Sequence, residues 1–113
     1  MNANSEYRNA TRRELDTRVD VLDCMTGQVA GHVIDISASG LQLASSLPMT
    51  SDALYQWRFT LPTGEVVECG VHVLWVSATR PGEYAAGARF ILIPRAQQER
   101  IRAWCESAPD ARH

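Results

Sequence analysis

Arginine forks and a carboxylate–hydroxyl pair are the first side chains in this 113-residue sequence with chemistry to offer. Arg8-Asn9-Ala10-Thr11-Arg12 places two guanidinium groups four positions apart, and Arg13 and Arg18 follow before the first strongly apolar stretch. A guanidinium is a planar, permanently charged fork that matches phosphates, carboxylates and the edge of guanine better than the point charge of lysine does. Downstream, Asp35-Ile36-Ser37-Ala38-Ser39-Gly40 supplies the complementary groups. On a strand, residues two apart share a face, so Asp35 and Ser37 present together, and Gly40 gives the backbone freedom to turn just beyond them. An arginine arm folded over that face makes a site with donors on one side and acceptors on the other. A guanine nucleotide suits it. Its O6 and N7 accept an arginine fork, its N1–H and amino group donate to a carboxylate, and its phosphates take the remaining arginine donors. Each motif is unspecific alone, since Asp and Ser at a strand end ordinarily bond the local backbone.

Other chemistries find less support. No GxSxG elbow occurs. Cys69-Gly70-Val71-His72 has CxxH spacing, but residues three apart on a regular strand face opposite sides of the sheet. Cys24, Cys69 and Cys105 are widely and irregularly spaced without a CxxC, which points to buried free thiols rather than a disulfide framework or a zinc site. No catalytic residue, metal ligand or cofactor is assigned.

The elements that must position these groups follow from periodicity. Residues 1–18 are polar, of mixed charge and without apolar period, and read as a mobile arm. From Val19 to Ile93, short β-branched and aromatic runs alternate with turn residues. Strands are expected at 19–24, 28–37, from 41 to Leu47-Pro48, 54–61, 66–77 and 84–93. Tyr55, Trp57, Phe59 and Leu61 alternate with polar residues most cleanly. Residues 95–106 change to helical period, with Gln97, Ile101, Trp104 and Cys105 on one face and Arg95/Glu99 and Arg102/Glu106 spaced as i,i+4 pairs. The fold class is therefore all-β: a six-stranded antiparallel β-barrel with a C-terminal α-helix, spanning 19–106, with a tail at 107–113.

Charge narrows the partners. All eleven basic residues are arginine, yet the formal net charge is -2 and the isoelectric point lies near 5.9. A GC-rich coding sequence accounts for missing lysines but not for arginines clustered at one end. An acidic domain is poorly suited to coating a nucleic-acid polymer, whereas a small anion remains compatible. The sequence contains neither a long apolar span nor a signal-like N-terminus, so a cytoplasmic location is expected.

In order and separation, RNATR at 8–12, DISASG at 35–40, GLQL at 40–43, VLWV at 73–76 and GARF at 87–90 resemble the PilZ domain, the bacterial receptor family for cyclic di-GMP. The resemblance implies a split barrel with a closing helix, in agreement with the periodicity. It implies that Arg8 and Arg12 grip guanine edges and phosphates, that Asp35 and Ser37 hold the nucleotide on the barrel, and that Gly40 is the turn glycine. Trp75 stands where some members place a platform beside a base. Many members carry an arginine before the first motif arginine; here that position is Tyr7, and the additional arginine, Arg13, follows the motif. The function implied is a cyclic di-GMP receptor acting in trans, as a stand-alone adaptor whose ordered surface is read by an effector protein. The main alternative is a PilZ-like interaction module without ligand, disfavoured because both motifs are present. A single-strand nucleic-acid binder using Trp57, Trp75 and Tyr55 is a third reading, opposed by the acidic balance.

Overall fold

A computed structural model describes residues 11–107. The elements are β1 (Arg13–Glu14), β2 (Asp20–Asp23), β3 (Gln28–Ile36), β4 (Gly40–Ser45), β5 (Leu54–Thr60), β6 (Val66–Arg80), β7 (Glu83–Leu92) and helix α1 (Arg95–Glu106). The strands run antiparallel in the order β1-β3-β2-β5-β6-β7-β4, and a further β3–β4 pairing closes the barrel. Six strands and the helix are those anticipated from periodicity; β1 is extra. Within the expected mobile arm, Arg13 pairs with Ile36 and Glu14 with Asp35, while the Leu15 N–H donates to the Ile34 carbonyl at 3.1 Å. Two ladder positions and the packing of Leu15 against the core are too short a signal to show as periodicity.

Alternation along β5 puts Trp57 and Phe59 into the barrel, where Val21, Val33, Leu43, Val67 and Val71 meet them. Turns close the ladders by residue chemistry. Pro81 fixes its own φ and Gly82 sits at φ 77°, the combination a Pro-Gly turn requires, so β6 and β7 pair to their ends at Arg80 and Glu83. That turn carries β6 three residues past the expected end at Ser77. Helix α1 begins directly after Pro94, whose missing N–H is not needed in a first turn, and buries Ile101 and Cys105 against the barrel.

Three smaller expectations are corrected. Cys69 and Cys105 are buried, but Cys24 is exposed, because it lies just beyond β2, where the chain leaves the core for the turn at Gly27. The helix does not use its i,i+4 pairs: Arg102 pairs with Glu99 one turn back at 3.6 Å, and Arg100 reaches across to Glu65 at 3.4 Å. The three aromatics proposed as a stacking surface are split. Trp57 is fully buried and stacks on Tyr55 with centroids 5.8 Å apart, leaving only Trp75 of the two tryptophans outward. Cys69 and His72 point apart as strand geometry requires, the thiol inward and the imidazole Nε2 2.5 Å from Asp52 Oδ1.

Candidate ligand-binding site

Two β-bulges build this site. In a strict period of two, Val33 and Asp35 point the same way, which would carry a carboxylate into the core. In β3 the register against β4 shifts between Val33 and Asp35, so Ile34 is the extra residue. Val33 and Ile36 therefore both face inward, while Ile34 and Asp35 face out. β6 repeats the device. Its register against β7 shifts between Val73 and Trp75, leaving Leu74 and Trp75 each 41% exposed while Val73 stays in the core.

The arm crosses the first bulge. With Arg13 opposite Ile36, antiparallel register brings Arg12 alongside Ser37, and Arg12 Nη1 donates to Asp35 Oδ1 at 2.6 Å. The guanidinium is half-exposed, so the pair contributes at most about 1 kcal/mol to stability, and its main effect is to orient the fork. Arg13 goes the other way. Its Nη1 donates to the Trp104 carbonyl at 2.9 Å, and its guanidinium lies 3.9 Å from the Trp104 ring centroid, a cation–π contact with the helix. Adjacent residues on a strand face opposite sides, and only Arg12 is left on the side of Asp35.

The DISASG segment folds into a turn held from inside. Ser37 N–H donates to the Gly40 carbonyl at 2.8 Å, Ser39 N–H donates to Ser37 Oγ at 3.2 Å, and the two serine hydroxyls share a 3.0 Å hydrogen bond. Ser37 thus spends its hydroxyl on local structure and is 2% exposed, whereas Asp35 bonds the arm. The helix and β7 clamp the same turn from behind: Gln98 Nε2 donates to Ala38 O at 2.8 Å, Cys105 Sγ to Ile36 O at 3.3 Å, and Phe90 N–H to Ser39 O at 2.9 Å. Burial pushes the Cys105 thiol up to about 11, keeping it a neutral donor. Gly40 serves a purpose other than the turn freedom read from its type. The glycines at positive φ are Gly27, Gly64 and Gly82; at Gly40 a Cβ would lie 2.1 Å from the Ala88 carbonyl oxygen, so the need is for close strand approach.

These elements enclose a shallow recess of about 50 Å³ lined by Arg12, Ser37, Gly40, Gln42, Trp75 and Arg89, among others. The indole of Trp75 lies across Gly87, where a Cβ would fall 2.2 Å from its Nε1. From that seat Trp75 lines the recess. Of the residues singled out in sequence, Arg12, Ser37, Gly40 and Trp75 line it, Asp35 stands behind Arg12, Arg13 is held on the helix, and Arg8 lies outside the described residues. Sequence reasoning missed Gln42, Gly87 and Arg89. Their signal lay in the GLQL and GARF segments, but only the register Gly40↔Arg89 and Gln42↔Gly87 brings those segments together. A larger groove of about 650 Å³, floored by Ala30, Gly31, Ala44 and Ala85 near the other end of the β4–β7 ladder, is lined by Arg18 of the arginine cluster but by none of the residues expected to bind the ligand. Among the described residues there is no cluster of three or more potential metal ligands, and no helix is long and apolar enough to cross a membrane.

Comparison with known proteins follows the same outline. The model of the PilZ domain family matches residues 6–107. No curated protein sequence matches the chain. Among solved structures, the Bacillus subtilis inhibitor of motility MotI/DgrA superposes with a TM-score of 0.73 at 15% identity, over 88% of this chain and 49% of that one. YcgR from Escherichia coli in complex with c-di-GMP gives 0.72 at 12% identity, over 88% and 45%. The K. pneumonia MrkH–c-di-GMP complex gives 0.71 at 19% identity, over 86% and 50%. The chain thus spans about half the length of each, and at these identities the likeness concerns the fold.

Proposed function

The chain belongs to the PilZ domain family, and from that membership we propose that it is a receptor for cyclic di-GMP, with the recess between the arm and the β3–β4 turn as its site. The observation that carries this reading is the convergence of separate sequence segments on one recess. Arg12 arrives from the arm, Ser37 and Gly40 from the turn, and Trp75 from the β6 bulge. Together with Asp35, which is held on the Arg12 fork, their chemistry matches a guanine dinucleotide: a fork for O6 and N7 or a phosphate, a carboxylate for N1–H and the amino group, and an aromatic side chain for stacking. Solved relatives of the same fold, YcgR and MrkH, are described in complex with c-di-GMP.

Binding proceeds by exchange. Before the ligand arrives, Asp35 occupies the Arg12 fork. The nucleotide offers Arg12 an acceptor edge and Asp35 a donor edge at once, so each partner is replaced and neither charge is left unpaired. The recess admits one base edge or phosphate, and the PilZ resemblance assigns Arg8 to the remainder of the dinucleotide. The newly covered surface is then read by an effector protein in the cytoplasm, and no bond is made or broken.

Isothermal titration calorimetry with cyclic di-GMP tests this. Saturable binding is expected, with Arg12→Ala and Asp35→Ala each losing about 1–3 kcal/mol, roughly fivefold to 150-fold in affinity. No heat at high micromolar ligand from the intact protein would defeat the receptor reading and favour the ligand-free interaction module.

A further inference from the structure

The sequence motifs account for one side of the recess. Its opposite wall is β7, where Ala86 and Ala88 face the core while Gly87 and Arg89 alternate outward. Arg89 pairs in register with Gly40 on one flank and His72 on the other, and the Phe90 N–H to Ser39 O bond fixes its backbone against the turn. Its base is therefore set beside the ligand turn.

Most described arginines have a partner. Arg12, Arg18, Arg58, Arg80, Arg100 and Arg102 each have a carboxylate within ion-pair distance, and Arg13 stacks on Trp104. Arg89 and Arg95 have none among the described residues; Arg95 opens helix α1 away from the recess lining, whereas Arg89 lines the recess, and the outer-face side chains placed around Arg89 by register are those of His72 and Gln42, with glycines at 40 and 87. No acid faces it. A cation kept without a counter-ion at the mouth of a recess, across from a second arginine already held by Asp35, is arranged to receive an anion brought from outside.

We propose that Arg89 binds a phosphate of the nucleotide, making β7 a third wall of the site beside the arm and the DISASG turn. This rests on the reading of the recess as a cyclic di-GMP site. A phosphate is the favoured contact over a base edge because no carboxylate of the described residues holds the Arg89 guanidinium in one orientation, as Asp35 holds that of Arg12. A delocalised anion tolerates that freedom, while a bidentate base contact requires a fixed fork.

The test is calorimetry of the full chain with cyclic di-GMP, using wild type, Arg89→Ala and Arg89→Lys, with circular dichroism to confirm that each folds. Arg89→Ala is expected to weaken binding about tenfold or more. Arg89→Lys is expected to stay within about threefold of wild type, since a phosphate accepts a point charge. The gap between wild type and Arg89→Ala should narrow as salt is raised. Wild-type affinity in Arg89→Ala overturns the assignment, and a lysine variant as weak as the alanine variant overturns the choice of phosphate over base. A wild-type chain that binds no cyclic di-GMP instead overturns the receptor reading beneath it, so the two failures are separable.

Discussion

Trp57 and Trp75 sit on neighbouring strands of one barrel and meet opposite fates. Along β5 the ladder is regular, and Trp57 points inward, fully buried. Along β6 the register slips just before Trp75, and the indole emerges 41% exposed across Gly87. β3 makes the same contrast within itself, with Val33 before the slip in the core and Asp35 after it on the surface. The regular β5–β6 ladder places Trp57 in the core, and the bulges at Ile34 and Leu74, two of five register shifts in the barrel, place the candidate site residues outside. A bulge lets a strand keep its apolar residues inward on both sides of one extra position, so functional side chains are placed outside without loss of packing.

That contrast is open to measurement. The largest effect is expected from Trp57→Ala, which should cost about 3–5 kcal/mol in chemical denaturation, against under about 1 kcal/mol for Trp75→Ala. Near-equal losses would erase the distinction between ladder and bulge. The next effect is alkaline. Cys69 lies opposite Trp57, and burial pushes its thiol up to about 12, as it pushes Cys105 to about 11. Above the ordinary thiol range, near 9, the unfolded chain releases these protons and the folded chain retains them. Folding stability therefore falls as pH rises from about 9 toward 11, by up to about 1.4 kcal/mol per pH unit for each thiol. Cys69→Ala, compared with wild type across that range, should show a shallower decline.

On the bulged side, Gly87→Val forces the Trp75 indole off its seat. Cyclic di-GMP affinity should fall about tenfold, while the melting temperature moves little, because the atoms displaced belong to an exposed side chain. Gly40→Ala differs, since its Cβ meets the Ala88 backbone, and it should lower stability along with binding. The smallest effect is in labelling: Cys24 should react with a thiol reagent in the native state at a rate close to that of a free thiol, and Cys69 and Cys105 only on unfolding.

Much of this molecule was legible before its fold. The turns at Gly27, Gly64 and Gly82, the inward alternation of β5 and the helix over 95–106 are local facts, fixed by residue type and period within a few positions. The two polar motifs were legible too, because the requirement for forks opposite acceptors is chemical. The sidedness of Asp35 and Trp75 was not. One unpaired residue reverses the face of every side chain after it, and neither Ile34 nor Leu74 differs in type from an ordinary strand residue. Nor was the separation of Arg12 from Arg13, which depends on where a two-residue strand lands between β3 and α1. Arg89 required still more, the cross-strand register with Gly40. Composition and period determined what this protein is made from and which of its groups have the chemistry to meet an anion. Long-range pairing decided which of those groups share a surface, because distant residues become neighbours only when the barrel closes.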